Sequence, residues 1–402
     1  MEVHGSCEPK FQAVREEFER NFQNRGEVGA SVCVTLDGQT VVDLWGGQAN
    51  TETGATWNED TVSIVFSSTK GATAICAHIL ASRGQLDLDA PVATYWPEFA
   101  QSGKDNIPVK MLLNHQAGLP AVRDPLPQGA YADWDLMVST LAKQEPFWEP
   151  GTRNGYHALT FGWLVGEVVR RASGKSLGSF FRDEIAAPLG LDFWIGLPED
   201  KEPRVAPMIA AEPDPDSRFF QEIAKPGSLQ SLVLLNSGGY MGAEPEYDTR
   251  AAHAAEIGGA GGITNARGLA GMYEPLALGG SKGAVELVNA ETLARMGRVS
   301  SSTGRDAVLV MPTRFALGFM KTMDNRGEPA GVQDSTLTSE EAFGHVGAGG
   351  SFGFADPKAG MSFGYTMNRM GAGAALNERG QSLVDAVYRA LGYTSSDSGA
   401  WN

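Results

Sequence analysis

The sequence predicts an α+β fold: one antiparallel sheet flanked by helices is assembled from both ends of the chain, and a mainly helical lobe is inserted between them. Three observations carry this reading. An amphipathic helix and a β-hairpin open the chain, strands and a helix close it, and the middle reads as short helices and Pro/Gly-rich loops. The sheet lobe is expected over about 1–66 and 300–402 and the helical lobe over about 67–299, with a cleft between them.

Taken in order, Phe11, Val14, Phe18 and Phe22 share one helical face, opposite Arg15, Glu16, Glu19 and Arg20. The β-rich runs Gly29–Leu36 and Gln39–Trp45 flank Asp37-Gly38, a two-residue hairpin turn. Thr61–Phe66 reads as a strand. A helix from Ser67 to Ser82 follows, stopped near Gly84, because Ala74, Ile75, His78, Ile79 and Ala81 recur at helical spacing. Further helices are expected over Val109–Asn114, Asp133–Lys143, Leu159–Ala172 (closed by Gly174) and Leu177–Ile185 before Pro188. Strands return at Thr313–Thr322, Ser351–Ala355 and Met361–Asn368, the last two joined by a turn at Asp356–Gly360, and a helix over about Gln381–Leu391 ends the pattern.

The 402 residues are 42% hydrophobic and 20% charged, a globular composition. A net charge of −16 opposes nucleic acid and anionic membrane as partners, since both require a basic face. The N-terminal residues have no apolar core of the signal-peptide kind and no run approaches a membrane span, so a cytoplasmic location is expected. Cys7, Cys33 and Cys76 have neither zinc nor redox spacing, and Cys33 and Cys76 are expected as buried filler. His78, His115, His157 and His253 show no metal-ligand spacing. Neither a metal nor a cofactor is expected. No residue pattern sets the oligomeric state.

Ser67-Ser68-Thr69-Lys70 is the only Ser-x-x-Lys in the chain and lies at the expected strand-to-helix junction. Residues three apart share a helical face, which brings the Lys70 amine within reach of the Ser67 hydroxyl. Burial under an apolar helix lowers a lysine pKa toward that of a working base, and the helix N-terminus favours an alkoxide and an oxyanion. A Ser-x-x-Lys also arises by chance in chains of this length. Tyr156, delivered by the loop Trp148–Gly155, is either packing or a phenol that shuttles a proton if the lysine cation lowers its pKa. Gly344–Ser351, with His345 and Gly347, opens a strand whose glycines either permit close approach to a ligand or mark a bulge.

In their order and spacing, Ser67-x-x-Lys70, Tyr156 and His345-x-Gly347 resemble the motifs of the serine β-lactamase and penicillin-binding-protein superfamily, specifically its class C branch and, within that, the family VIII carboxylesterases. Leu112–Leu119 and Ile257–Gly262 extend the likeness, which runs from about Val28 to Leu391. The resemblance implies a serine β-lactamase-like fold with Ser67 as nucleophile, Lys70 as base and Tyr156 as proton relay. It further implies an oxyanion hole from the N–H groups of Ser67 and Ala348, and substrate contacts at His345 and Gly347. Two departures stand out. Tyr156-His157-Ala158 lacks the asparagine of the class C Tyr-x-Asn, and His345-Val346-Gly347 replaces Lys-Thr-Gly, removing a fixed cation for a β-lactam carboxylate. Both suit a neutral small-molecule ester.

The expectation is therefore a carboxylesterase acting on short-chain acyl esters through an acyl-enzyme. A weak, cephalosporin-type β-lactamase, an amide hydrolase or an acyltransferase would use the same residues. Two Gly-x-Ser-x-Gly sequences, at Ser176 and Ser351, compete for the nucleophile. Neither has the strand–Ser–helix context with a later histidine that an α/β-hydrolase needs, and Ser176 reads as a helix cap. A non-catalytic ligand-binding module would have no chemical need for all of Ser67, Lys70 and Tyr156.

Overall fold

A computed structural model of the chain describes residues 2–402 except 213, 243 and 397. The strands that matter for the site are β1 (Val3–Cys7), β2 (Gly29–Leu36), β3 (Gln39–Asn50), β4 (Ser63–Ile64), β5 (Phe193–Ile195), β6 (Gly262–Thr264), β7 (Phe343–Val346), β8 (Phe352–Asp356) and β9 (Met361–Met367). The corresponding helices are α1 (Gln12–Asn24), α2 (Thr69–Ser82), α3 (Thr160–Ser173), α4 (Ala266–Ala277) and α5 (Glu378–Ala390).

The two chain ends meet in a seven-stranded antiparallel sheet of order β1-β3-β2-β9-β8-β7, with the short strand Ala55–Thr56 beside β3. Its register starts at the hairpin, where Asp37 and Gly38 both have positive φ (49° and 81°), the geometry that a two-residue turn demands. The sheet then closes across the chain ends, from Met361 opposite Leu36 to Met367 opposite Ala30.

Alternation along β2 sends its side chains to two different partners. Val32 and Val34 join Phe11, Val14 and Phe18 of the N-terminal helical segment and Leu383, Val384 and Val387 of α5 in one apolar core. Ser31, Cys33 and Thr35 face the other way, where Ser31 and Thr35 pair with Thr366 and Ser362 at 2.9 and 2.6 Å, and Cys33 packs on Ala266 and Ala270 of α4. Small residues are required on that face: a Cβ on Gly364 would lie 2.2 Å from Ala266 O, so only glycine lets α4 lie this close. Cys33 and Cys76 are buried, as expected.

Several boundaries differ from the sequence reading. The strand expected over Thr61–Phe66 is regular only at β4, and α2 begins at Thr69, so Ser67 sits in the turn before the helix. The strand expected over Thr313–Thr322 stops at Phe315 and turns through Gly318, whose φ is 92°; Met320 then bridges back to Phe315 and to Gly344. The helix from Leu177 does not stop before Pro188 but continues through a π-turn at Arg182–Ala186 to Leu189, a widened turn of the kind that relieves a proline's missing N–H. Strand β1 and helix α4 have no counterpart in the sequence reading, and α4 lies within the segment assigned to the helical lobe yet packs on the sheet. No described helix is long and apolar enough to cross a membrane.

The chain ends are also joined electrostatically. Glu27, just before β2, accepts from Arg379 of α5 at 2.7 Å and from the Tyr365 hydroxyl of β9, with both partners of the ion pair almost wholly buried. Removing one member of a buried pair leaves the other charge uncompensated. Arg379→Met is therefore expected to lower the unfolding free energy by about 3–5 kcal/mol, measured by urea denaturation; a loss within experimental error would mean that the two ends are held by packing alone.

Candidate active site

The turn that carries Ser67 is tight and strained. Phe66 has φ 41°, a left-handed conformation that a bulky residue adopts only when its surroundings enforce it. Three contacts enforce it here: a bridge from Phe66 to Gly261, the Tyr247 ring set edge-on at 5.1 Å, and the Thr69 N–H donating to Phe66 O at 2.9 Å. Ser67 is consequently the one residue between Thr61 and Lys70 that is not fully buried.

Lys70 extends from the first turn of α2 into a completely enclosed position. Its Nζ lies 3.0 Å from Ser67 Oγ, 2.6 Å from Ala158 O and 2.7 Å from Gly259 O. Burial without a carboxylate partner pushes the amine well below the usual lysine range. A neutral amine has two N–H groups and one lone pair. In that form the two N–H groups can go to the two carbonyls and the lone pair can face the Ser67 hydroxyl.

Tyr156 comes from the loop ahead of α3. Its backbone N–H donates to Asp306 Oδ1 at 3.0 Å, and the same oxygen accepts from the N–H groups of Val308 and Leu309 at 2.8 and 3.0 Å. The phenol lies close enough to Ser67 for the serine to influence its pKa, and the Lys70 amine sits 4.7 Å from the ring centre. Burial raises the Tyr156 pKa, and a neutral Lys70 offers no cation to lower it. The lowering by a lysine cation on which the sequence reading made a proton shuttle conditional is therefore absent, and Tyr156 is a protonated phenol.

The strand of His345 is fastened to the Ser67 turn by two buried serines. Ser68 Oγ donates to His345 O at 3.0 Å, and Ser351 Oγ donates to Val65 O at 2.9 Å. Gly347 lies so close that an added Cβ would stand 2.1 Å from Val65 O. This places the half-buried Ala348 beside the turn. Among the described residues, neither the Ser67 nor the Ala348 N–H has a protein acceptor, so both can donate to a ligand.

His345 is 1% exposed, with its ring 5.9 Å from that of Tyr156, so it backs the phenol. Its Nδ1–H donates to Val346 O at 2.8 Å, and burial lowers its pKa to about 3. His115 also packs on Tyr156, at 4.9 Å, and His157 holds the loop by donating to Gly155 O and accepting from the Leu119 N–H. Burial depresses both, His157 to about 3. All three imidazoles are neutral.

Ser67, Lys70 and Tyr156 thus converge, with Gly347 and Ala348 adjoining. Ser176 caps the helix from Leu177, accepting from the Ser179 N–H, and Ser351 is wholly buried. Ser68, Asp306 and His115 escaped the sequence reading. Ser68 and His115 lie inside quoted motifs, but nothing local marks Asp306, which is 150 positions from the tyrosine it holds. Among the described residues no group of three or more His, Cys, Asp or Glu is placed to hold a metal.

The chain is similar over most of its length to known proteins. The chain is 35% identical over 380 residues to the Esterase/beta-lactamase LipL of Mycobacterium tuberculosis (strain ATCC 25618 / H37Rv), covering 92% of this chain and 83% of that protein. The crystal structure of a family VIII carboxylesterase superposes with a TM-score of 0.86 at 39% identity, over 97% of this chain and 100% of the other. A penicillin-binding protein homolog from Caulobacter crescentus gives 0.84 at 35% identity, again over 97% and 100%. The Beta-lactamase family model matches residues 16–387, and with a match over nearly its whole length the chain belongs to that family.

Proposed function

We propose that this protein is a carboxylesterase that hydrolyses short-chain acyl esters through a Ser67 acyl-enzyme. The observation that carries the reading is the Lys70 amine, buried without a counter-ion and 3.0 Å from Ser67 Oγ. Neutral Lys70 takes the Ser67 proton as Oγ attacks the ester carbonyl. The N–H groups of Ser67 and Ala348 receive the negative oxygen. As the tetrahedral species collapses, the Tyr156 phenol protonates the departing alkoxide and is reprotonated by the Lys70 ammonium. Water then enters, gives its proton to the same relay and releases the acid, which regenerates the Ser67 hydroxyl.

Three features favour a neutral ester over a β-lactam. His345 stands where a Lys-Thr-Gly motif has its cation, it is uncharged, and the neighbouring His115 and His157 are uncharged as well. A β-lactam carboxylate would find no fixed positive partner among them. Of the similar proteins, the family VIII carboxylesterase is named for esters, and the esterase/beta-lactamase for both activities.

Ser67→Ala is expected to remove hydrolysis of p-nitrophenyl butyrate, whereas Ser176→Ala, at a helix cap, keeps most of it; full activity in Ser67→Ala would reject the mechanism. Lys70→Met should lower kcat by about 10²- to 10⁴-fold, the range for loss of a general base. The base works only unprotonated, so kcat/KM should rise with pH through the titration of Lys70 and level off below the ordinary lysine value of about 10.4. A rate still climbing at that pH would show an unperturbed amine. A panel of acyl chain lengths with one chromogenic cephalosporin tests substrate class, and faster turnover of the cephalosporin would overturn the ester reading.

A further inference from the structure

A second concave site lies on the outer side of β7, a groove of about 650 Å³ that none of the residues assigned to the reaction lines. Its walls include Leu293, Val299, Phe343 and Pro357 together with the carboxylates Glu340 and Glu341, and Val299 is 43% exposed, one of few large apolar side chains so open to water. Lys321 also lines the groove, is 5% exposed and, among the described residues, makes neither an ion pair nor a side-chain hydrogen bond.

The carboxylates that face Lys321 are engaged elsewhere. Glu340 is paired with Arg314 at 3.0 Å, Glu341 with Lys358 at 3.8 Å, and Asp356 accepts from Ser339 and Tyr388 at 2.6 and 2.8 Å. Burial lowers the Lys321 pKa to about 8, which leaves most of the population protonated at neutral pH. A nearly enclosed ammonium without an acceptor is costly, and an anion beside it recovers much of that cost. Arg298, exposed on the same groove, adds a second positive group at the rim.

We propose that this groove binds a small monocarboxylate with an apolar body, its carboxylate on Lys321 Nζ and its hydrocarbon against Leu293, Val299, Phe343 and Pro357. Glu340 and Glu341 line the groove too but are paired with Arg314 and Lys358, so Lys321 is left to match one negative charge on one apolar chain. The site is separate from Ser67, although Phe343 begins the strand that carries His345.

The test is calorimetric titration of octanoate into the full-length protein, with 1-octanol as the uncharged control. Octanoate should bind saturably at one site, and octanol at least tenfold more weakly. Lys321→Met should weaken octanoate at least tenfold while ester hydrolysis and thermal stability are retained. Ala294→Trp, at an exposed position of the groove wall, should do the same by filling it. Ser67→Ala should leave octanoate binding unchanged. Affinity should fall between about pH 7 and 9.5 as Lys321, which Glu340, Glu341, Asp356 and Arg314 surround and Arg298 adjoins, loses its proton. Unaltered octanoate binding by Lys321→Met, equal affinity for octanol, or no saturable binding would each overturn the proposal. Binding that survives Lys321→Met but competes with ester substrate would place octanoate in the catalytic cleft instead, and that outcome overturns it too.

Discussion

An amine enclosed by the fold and given two carbonyl oxygens but no carboxylate is the constraint on which the rest of the site depends. Lys70 could be stabilised as a cation by a single aspartate or glutamate, and it would then be useless as a base. Instead Ala158 O and Gly259 O, from segments 88 and 189 positions away, take its N–H groups. The fold must therefore bring the loop before α3 and the glycine-rich approach to β6 onto the first turn of α2. Burial supplies the pKa shift, and the carbonyls supply the direction of the lone pair.

The presentation of Ser67, the proposed nucleophile, follows from the same crowding. Phe66 is forced into a left-handed turn, at a cost of about 1–3 kcal/mol, which the small sheet of β4, β6 and β5 and the Tyr247 ring offset. Ser68 and Ser351 then tie that turn to the strand of His345. Each hydroxyl donates to a backbone carbonyl of the other segment, so the two N–H groups proposed to hold the oxyanion belong to one clamped unit. Asp306 does the corresponding service for Tyr156, through backbone N–H groups and not through the phenol.

Local chemistry makes much of this legible in the sequence. Asp37-Gly38 specifies its hairpin because few dipeptides accept two positive φ values, and the i, i+3 spacing of Ser67 and Lys70 needs only a turn of helix to become a contact. Other elements have no local signature. Helix α4 contains Gly268, Gly271 and Pro275, poor helix formers, and exists because the sheet leaves a groove of small residues for it. Strand β1 is mostly exposed and is held by pairing with β3. The run Thr313–Thr322 has strand composition, but Gly318 folds it back on itself. The direction of the Tyr156 shift could not be read from the sequence because it is set first by burial of the phenol.

The central claim is that Lys70 is an uncharged amine in the resting protein. Its titration can be followed directly by NMR in protein labelled with 13C at the lysine Cε, with the Lys70 resonance assigned by its absence from Lys70→Met. The account predicts a midpoint well below the ordinary lysine value of about 10.4; an amine that remains protonated up to that pH would contradict it.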